Sequence, residues 1–292
     1  MTRAHTGMVA AAVASALLGA GCAPADEGAT GPTQATSAQA QDCSPDALET
    51  QTPGTLTIAT DQPVFEPWFL DDDPTNESGF EGAVAYAVAE RLGFSSDEVT
   101  WVRVPFNAAI APGPKDFDFD INEFSITPER AEAVDFSTPY YDVTQAVIAL
   151  EGNPASGAAS LADLKDVRIG AQVGTTSFAA VESVIAPTTD AAVFNTNDDA
   201  KQALSNGQVD AIVVDLPTAF YITAVELDNG LIIGQLPPAP GVRVEQFGLV
   251  LGKGSSLTPC VSAAVDRLRA AGTLDELAQE WLSQSAGAPI LE

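Results

Sequence analysis

The segment Ser125-Ile126-Thr127-Pro128-Glu129-Arg130 brings a hydroxyl, a helix start and a guanidinium close together in sequence. Thr127 suits the N-cap of a helix and Pro128 its first position. That spacing puts Arg130 in the first helical turn, beside free backbone N–H groups. A carboxylate arriving there meets a bidentate donor, a positive helix end and the Ser125 hydroxyl. The same residues also fit a capped surface helix whose Arg130 merely pairs with a Glu, and this stretch alone does not separate the two. Gly174-Thr175-Thr176-Ser177 is a second turn leading into a helix, with backbone and hydroxyl donors of the same kind. Thr176 is the binding candidate there, whereas Ser177 suits an N-cap equally well. Asp215 follows the apolar run Ala211–Val214 and precedes Leu216-Pro217. This places a carboxylate at the C-terminal end of a strand, where α/β ligand sites gather. An N-cap for the helix opened by Pro217 is the other role open to it, and one Asp can serve both.

These residues sit in a chain of alternating strand and helix signals. Thr55–Thr60 alternates like a strand, and Gly82–Leu92 reads as an apolar-faced helix closed by Gly93. Val99–Val104 is a second strand. Val167–Ala171 opens a new strand–helix series, with its helix from about Ser177. Asp198 can cap a helix through Leu204, ended by Asn206-Gly207. Thr258-Pro259 opens a helix to Ala270, and Thr273–Glu276 forms a capping box. Such alternation implies α/β layers with mostly parallel sheets. Glu151–Gly157 is a turn-rich break after the strand signal Gln145–Leu150.

Composition narrows the function. The chain has 292 residues, 40 acidic and 12 basic, for a formal net charge of −28. That balance argues against binding nucleic acid or an anionic membrane surface. The single His is His5, so the chain beyond the first residues cannot build a Ser-His-Asp triad, a Cys-His pair or a His-ligated metal. Arg3 and the apolar run Met8–Gly21 read as an export signal, too short to span a bilayer. Leu17–Cys22 resembles a lipobox with Cys22 as the lipidated residue, although Gly19 stands where a Leu-like residue is preferred. Residues 23–42 lack Leu, Ile, Val and aromatic residues and read as a disordered tether; a trimmed pro-segment is the other possibility. From Cys43 onward about 250 residues remain, enough for two modest lobes. Outside the cell Cys43 and Cys260 are expected to pair rather than stay as buried thiols.

The run from Ser125 through Val134-Asp135-Phe136-Ser137 and Pro139-Tyr140-Tyr141 resembles the family 3 extracellular solute-binding proteins, the amino-acid receptors of ABC importers. Leu161–Ser177, Asn206–Asp215, Phe247–Gly252 and Leu268–Leu282 resemble successive later parts of the same family, so the likeness runs from about Thr55 to Leu282. It implies a two-lobed α/β fold of the type II periplasmic-binding-protein kind, two crossover strands as a hinge, and a ligand cleft between lobes. The chain would cross at the 151–157 break and return near Glu245–Gly248. That gives 1–22 as signal, 23–42 as tether, 43–148 plus 247–292 as the first lobe and 149–246 as the second. It further implies a monomer anchored at the outer face of the membrane by lipid only, with an ABC permease as partner and no cofactor.

The resemblance also distributes roles. Arg130, Ser125 and Thr176 would hold the carboxylate of an amino acid, and Asp215 its ammonium. Asp61, Phe65 and Pro67 look like the family's Asp-x-x-aromatic-x-Pro region with one residue inserted, and Phe106 matches the opposing aromatic; rings at such positions serve core as readily as pocket. Gln172 is a further candidate for the side chain. Asn122-Glu123-Phe124 departs from the family, which has small residues at the first two positions, where backbone approaches ligand. Glu123 either reads a positive or hydrogen-bonding group or points away. With Asp61, Glu66 and Asp215 near, an acidic pocket favours a polar or basic amino acid. The alternative is a cyclohexadienyl dehydratase-like enzyme on the same scaffold, with Glu123 as its acid.

Overall fold

The computed structural model describes residues 42–239, 241, 244–282 and 288–292. The expected signal, Cys22 and the tether up to residue 41 lie outside the described residues.

In chain order the elements are β1 (Leu56–Thr60), α1 (Phe80–Leu92), β2 (Val99–Arg103), α2 (Phe106–Ala109), β3 (Phe119–Asp120), α3 (Pro128–Ala133), β4 (Val134–Phe136), β5 (Tyr141–Val143) and β6 (Gln145–Leu150). They continue with β7 (Ile169–Gln172), α4 (Thr176–Ala180), β8 (Ala192–Phe194), α5 (Asn197–Ser205), β9 (Ala211–Asp215), α6 (Leu216–Tyr221), β10 (Gly230–Gln235), β11 (Glu245–Phe247), β12 (Val250–Gly252), α7 (Thr258–Ala271) and α8 (Thr273–Leu282).

Two five-stranded sheets form the two lobes. The first has the order β2-β1-β3-β12-β4 and the second β10-β6-β9-β7-β8. Both sheets are buried on two faces, so their strands read as apolar runs. Ile58 faces the core under α1, α7 and α8, whereas Ala59 packs on the other face with Phe106, Phe124 and Val250. Val147 and Val213 face one side of the second sheet, Ile148 and Ile212 the other.

The sheets are mixed, not mostly parallel. β1 runs parallel to β2 and β3, but β12 is antiparallel to β3 and β4. β7 runs parallel to β8 and β9, but β6 is antiparallel to both β9 and β10. The reversed strands β6 and β12 enter directly from the crossover, without the intervening helix that returns a chain in parallel.

That crossover is the antiparallel pair β5–β11, with Val143 opposite Glu245 and Tyr141 opposite Phe247. The chain therefore changes sheet before Gln145, not at Glu151–Gly157, and the whole of β6 belongs to the second sheet. The segment 151–157 is a turn within the second lobe, with Ala155 packed in its core. The C-terminal residues also return there: Ile290 bridges Gln235, and Leu291 packs beside Ile233.

Cys43 and Cys260 form a disulfide spanning 217 residues of chain, with their Cα atoms 5.5 Å apart. Cys260 lies in the first turn of α7, so the bond pins the start of the described chain to that helix.

Candidate functional site

The two lobes meet at the C-terminal ends of β1, β7 and β9, and side chains from both walls fill the space between them. The Thr127 hydroxyl accepts the Arg130 N–H at 3.2 Å, the N-cap that Thr127-Pro128 predicts. Arg130 is thereby fixed in the first turn of α3 and is 9% exposed. Its guanidinium donates to the Ser125 carbonyl at 2.7 Å and, across the cleft, to the Gly174 carbonyl at 2.9 Å. Its Cζ lies 5.3 Å from the centre of the Phe106 ring, which stacks on Phe124. Burial pulls the Arg130 pKa down from the ordinary arginine value, against the opposing pull of Glu245, Asp215 and Glu129.

On the opposite wall, Gly174 turns the chain at φ +76°, and a Cβ there would meet Asn107 Oδ1 of the first lobe at 2.3 Å. Only glycine permits that approach. The helix cap is Thr175, whose hydroxyl accepts from the Phe178 N–H. Thr176 is thus free to face the cleft, as the sequence suggests. Ser177 is not the cap; its hydroxyl donates to Gln145 Oε1 at 2.6 Å. Asp198 is likewise not a cap, that position falling to Thr196.

Asp215 occupies the N-cap position of α6 but makes no side-chain cap bond. Its carboxyl accepts from Gln145 Nε2 at 2.6 Å and hydrogen-bonds Glu123 of the other wall. Glu123 sits at φ +52°, the left-handed region that favours glycine. This is the strained position at which the resemblance calls for a small residue. Its Oε2 accepts from the Thr218 hydroxyl at 2.9 Å, and its backbone N–H donates to Glu81 Oε1 at 2.7 Å. Trp68 donates in turn to Thr218 at 2.7 Å, so it ties the lobes together.

The acids outnumber the cation. Burial, the Asp215 charge and Glu81 hold Glu123 well above the usual carboxylate range. Burial and Glu245 push Asp215 up as well. Burial pushes Glu81 up to about 7, against hydrogen bonds from Tyr140 and Glu123. Among the described residues, no group of His, Cys, Asp and Glu is arranged to hold a metal ion.

Asp61, Phe65, Phe106, Glu123, Arg130, Gln172, Thr176 and Asp215 all line one cavity. Ser125 does not line it: its hydroxyl lies 3.2 Å from that of Thr176 and donates to Glu245 Oε1 at 2.5 Å. A carboxylate acceptor has therefore taken the proton expected to serve a ligand. Glu66 does not line the cavity either. Asn122, Thr175, Ser177 and Asn197 complete the lining. The space left is about 30 Å³, room for a water or two but not for an amino acid.

Gln145, Glu245, Glu81, Thr218 and Asn197 all escaped the sequence reading. Gln145 Nε2 reaches Glu245 at 3.1 Å as well as Asp215, so it joins β11 to the cleft wall. The signal for Gln145 was a polar residue opening an apolar strand; Glu81 and Glu245 gave none beyond their acidity.

The profile of the family described as bacterial extracellular solute-binding proteins, family 3, matches residues 56–284. An L-arginine-binding protein of Pseudomonas aeruginosa is 28% identical over 240 residues, covering 78% of this chain and 90% of the relative. An ancestral arginine-binding protein solved with glutamine superposes with a TM-score of 0.66 at 31% identity, covering 79% of this chain and 98% of its own. An ancestral amino-acid-binding protein described as a precursor of cyclohexadienyl dehydratase superposes with a TM-score of 0.64 at 29% identity, over 78% of this chain and 95% of its own.

Proposed function

The chain belongs to the bacterial extracellular solute-binding proteins of family 3, and from that premise we propose that it captures a polar or basic amino acid between its lobes and delivers it to an ABC permease. The observation that carries this reading is the placement of Arg130 and Asp215 on opposite walls of one cavity, with Glu123 and Asp61 as further acids. Arg130 takes the α-carboxylate, supported by Thr176 and the N–H groups that open α4. Asp215 takes the ammonium. Glu123 and Asp61 face the ligand side chain, and Phe65, Phe106 and Gln172 enclose it. One basic and three acidic groups leave a net negative site, which a zwitterion with a cationic side chain neutralises better than a neutral one.

Ligand binding substitutes the Arg130–Gly174 and Glu123–Thr218 contacts with bonds to both lobes, which holds them closed. The reading extends to export as a monomer, with Cys22 lipidated and the anchor confined to that lipid.

A thermal-shift panel of the common amino acids, with prephenate and arogenate included, tests the proposal on ligand-stripped protein. A ligand at about 100 times its Kd adds about 2.7 kcal/mol and raises the midpoint visibly. Response to arginine, lysine or another polar amino acid is expected. Response to apolar amino acids alone would refute the acidic-pocket reading. A second reading is supported by Glu123, whose pKa burial and the Asp215 charge hold well above the usual carboxylate range: an acid that assists loss of water and carbon dioxide from prephenate or arogenate. Formation of an aromatic product from either compound would establish it, and its absence is expected.

A further inference from the structure

Glu123 and Asp215 line one narrow cavity from opposite walls, where their side chains come within hydrogen-bonding reach of each other. Two carboxyl groups make such a bond only when one carries a proton. Every group around the pair bears on where that proton sits. Facing Glu123 are Glu81 of α1, which the Tyr140 hydroxyl also contacts, and the Thr218 hydroxyl of α6. Facing Asp215 are the Gln145 amide of β6, Glu245 of β11, Arg130 of α3 and, farther off, the Tyr141 hydroxyl. Asp61 lines the same cavity. Asp215 thus has a donor amide and the guanidinium to hold its charge, whereas Glu123 has only other acids and one hydroxyl. The proton belongs on Glu123.

The pair also fills the space that a solute's cationic group would need, since only about 30 Å³ remains beside it. A cation and the shared proton are alternatives at one position: each neutralises the same two carboxylates. We infer that Glu123 and Asp215 form a proton site bridging the lobes, which closes the solute-free cleft and is emptied by exchange when a cationic group of the solute arrives. The exchange half of this inference rests on the reading that the solute carries such a group; the closure half does not.

The direction follows from burial. Both acids have their pKa raised in the closed form, whereas in an open, hydrated cleft they return toward the ordinary carboxylate range. The closed form therefore holds a proton that the open form releases. Solute-free closure strengthens as pH falls through the raised pKa and weakens as pH rises above it. Solute affinity moves the other way, falling about tenfold per pH unit in the range where the pair is protonated before binding and deprotonated after it.

Small-angle scattering of ligand-stripped protein between about pH 8 and about pH 5.5 tests closure without any ligand. The wild type is expected to become more compact on acidification, and a radius of gyration that does not change with pH overturns the proposal. Glu123→Gln places a neutral donor against Asp215 at every pH, so its radius of gyration should not depend on pH. Since that variant keeps the rest of the negative charge, compaction equal to the wild type would assign the effect to general charge relief and overturn the proposal. Asp215→Asn makes the same comparison from the other wall should Glu123→Gln fail to fold. Exchange is read by calorimetry with L-arginine as the probe at about pH 7, in two buffers of different ionisation enthalpy. Release of about one proton by the wild type and none by Glu123→Gln is expected. Binding without proton release overturns the exchange. A protein that closes on acidification but binds no amino acid would instead refute the proposed function and leave the proton site standing.

Discussion

Arg130 is held by two backbone carbonyls, one from each wall of the cleft, which leaves three of its five N–H donors for other acceptors. Of the two, the Gly174 contact crosses the cleft and breaks when the lobes part, whereas Ser125 lies on the same lobe and moves with Arg130. Arg130→Ala is expected to lower amino-acid affinity by at least about 10- to 100-fold, from the ~1.5–3 kcal/mol of a charged hydrogen bond, with little change in the ligand-free fold. Isothermal titration against a thermal-melt control checks both parts; normal affinity would end the carboxylate assignment. Asp215 carries the complementary charge. Asp215→Asn should weaken amino acids more than the matching deaminated acids, and equal losses for the two would remove its ammonium role. Glu123 is the residue-scale anomaly. A long acid at φ +52° is strained, yet its amide and carboxyl are both engaged, by Glu81 and Thr218. Those two contacts hold the strained residue in place.

At the scale of elements, the turn before α4 and the pair β5–β11 govern closure. Gly174 both adopts φ +76° and lets Asn107 approach. Gly174→Ala introduces a Cβ at 2.3 Å from Asn107 Oδ1 and strains the turn. The variant is expected to lose solute affinity, and its ligand-free melting point to fall modestly because the strain at φ +76° is local to the turn. A fall in melting point with unchanged affinity would contradict that. Glu245 places a carboxylate on the hinge strand itself, accepting from Ser125 of one lobe and Gln145 of the other. Rotation about the hinge must therefore rearrange the hydrogen bonds that orient Asp215. The caps that position these elements were readable: Thr127 and Pro128 at α3, Gly93 after α1 and the apolar strand before Asp215. Capping involves residues within a few positions of one another, so sequence carries it. The crossover was misplaced by several residues because the strand signal of β6 gives no sign of which sheet accepts it. That depends on β9 and β10, more than 60 residues away.

For the molecule as a whole, the disulfide links the first described residues to α7 against the first-lobe core. Closing so long a loop is worth roughly 5 kcal/mol in the chain-entropy model. Cys43→Ser with Cys260→Ser is expected to lower the unfolding free energy by about 2–5 kcal/mol without abolishing solute binding, as read by chemical denaturation and the same titration. Non-reducing peptide mapping should join the two cysteines, and two alkylatable thiols would contradict the bond. The formal net charge is −28, and three of the acids, Asp61, Glu123 and Asp215, line the cavity between the lobes.

The sequence alone was enough to specify the two-lobed α/β class, the Arg130 cap geometry, the Cys43–Cys260 pair and eight of the residues that line the cavity. Each follows from local turn and cap chemistry, from the oxidising setting of an exported chain, or from an ordered series of motifs. Folding in three dimensions settled what those side chains face. It turned Ser125 toward Glu245, freed Asp215 from its cap, set Glu123 against Asp215, and brought Gln145 onto Asp215. These partners lie from 70 to 120 residues apart in sequence. A hydrogen bond at such a separation leaves no periodicity to read, because its geometry is set by how two sheets pack across a hinge.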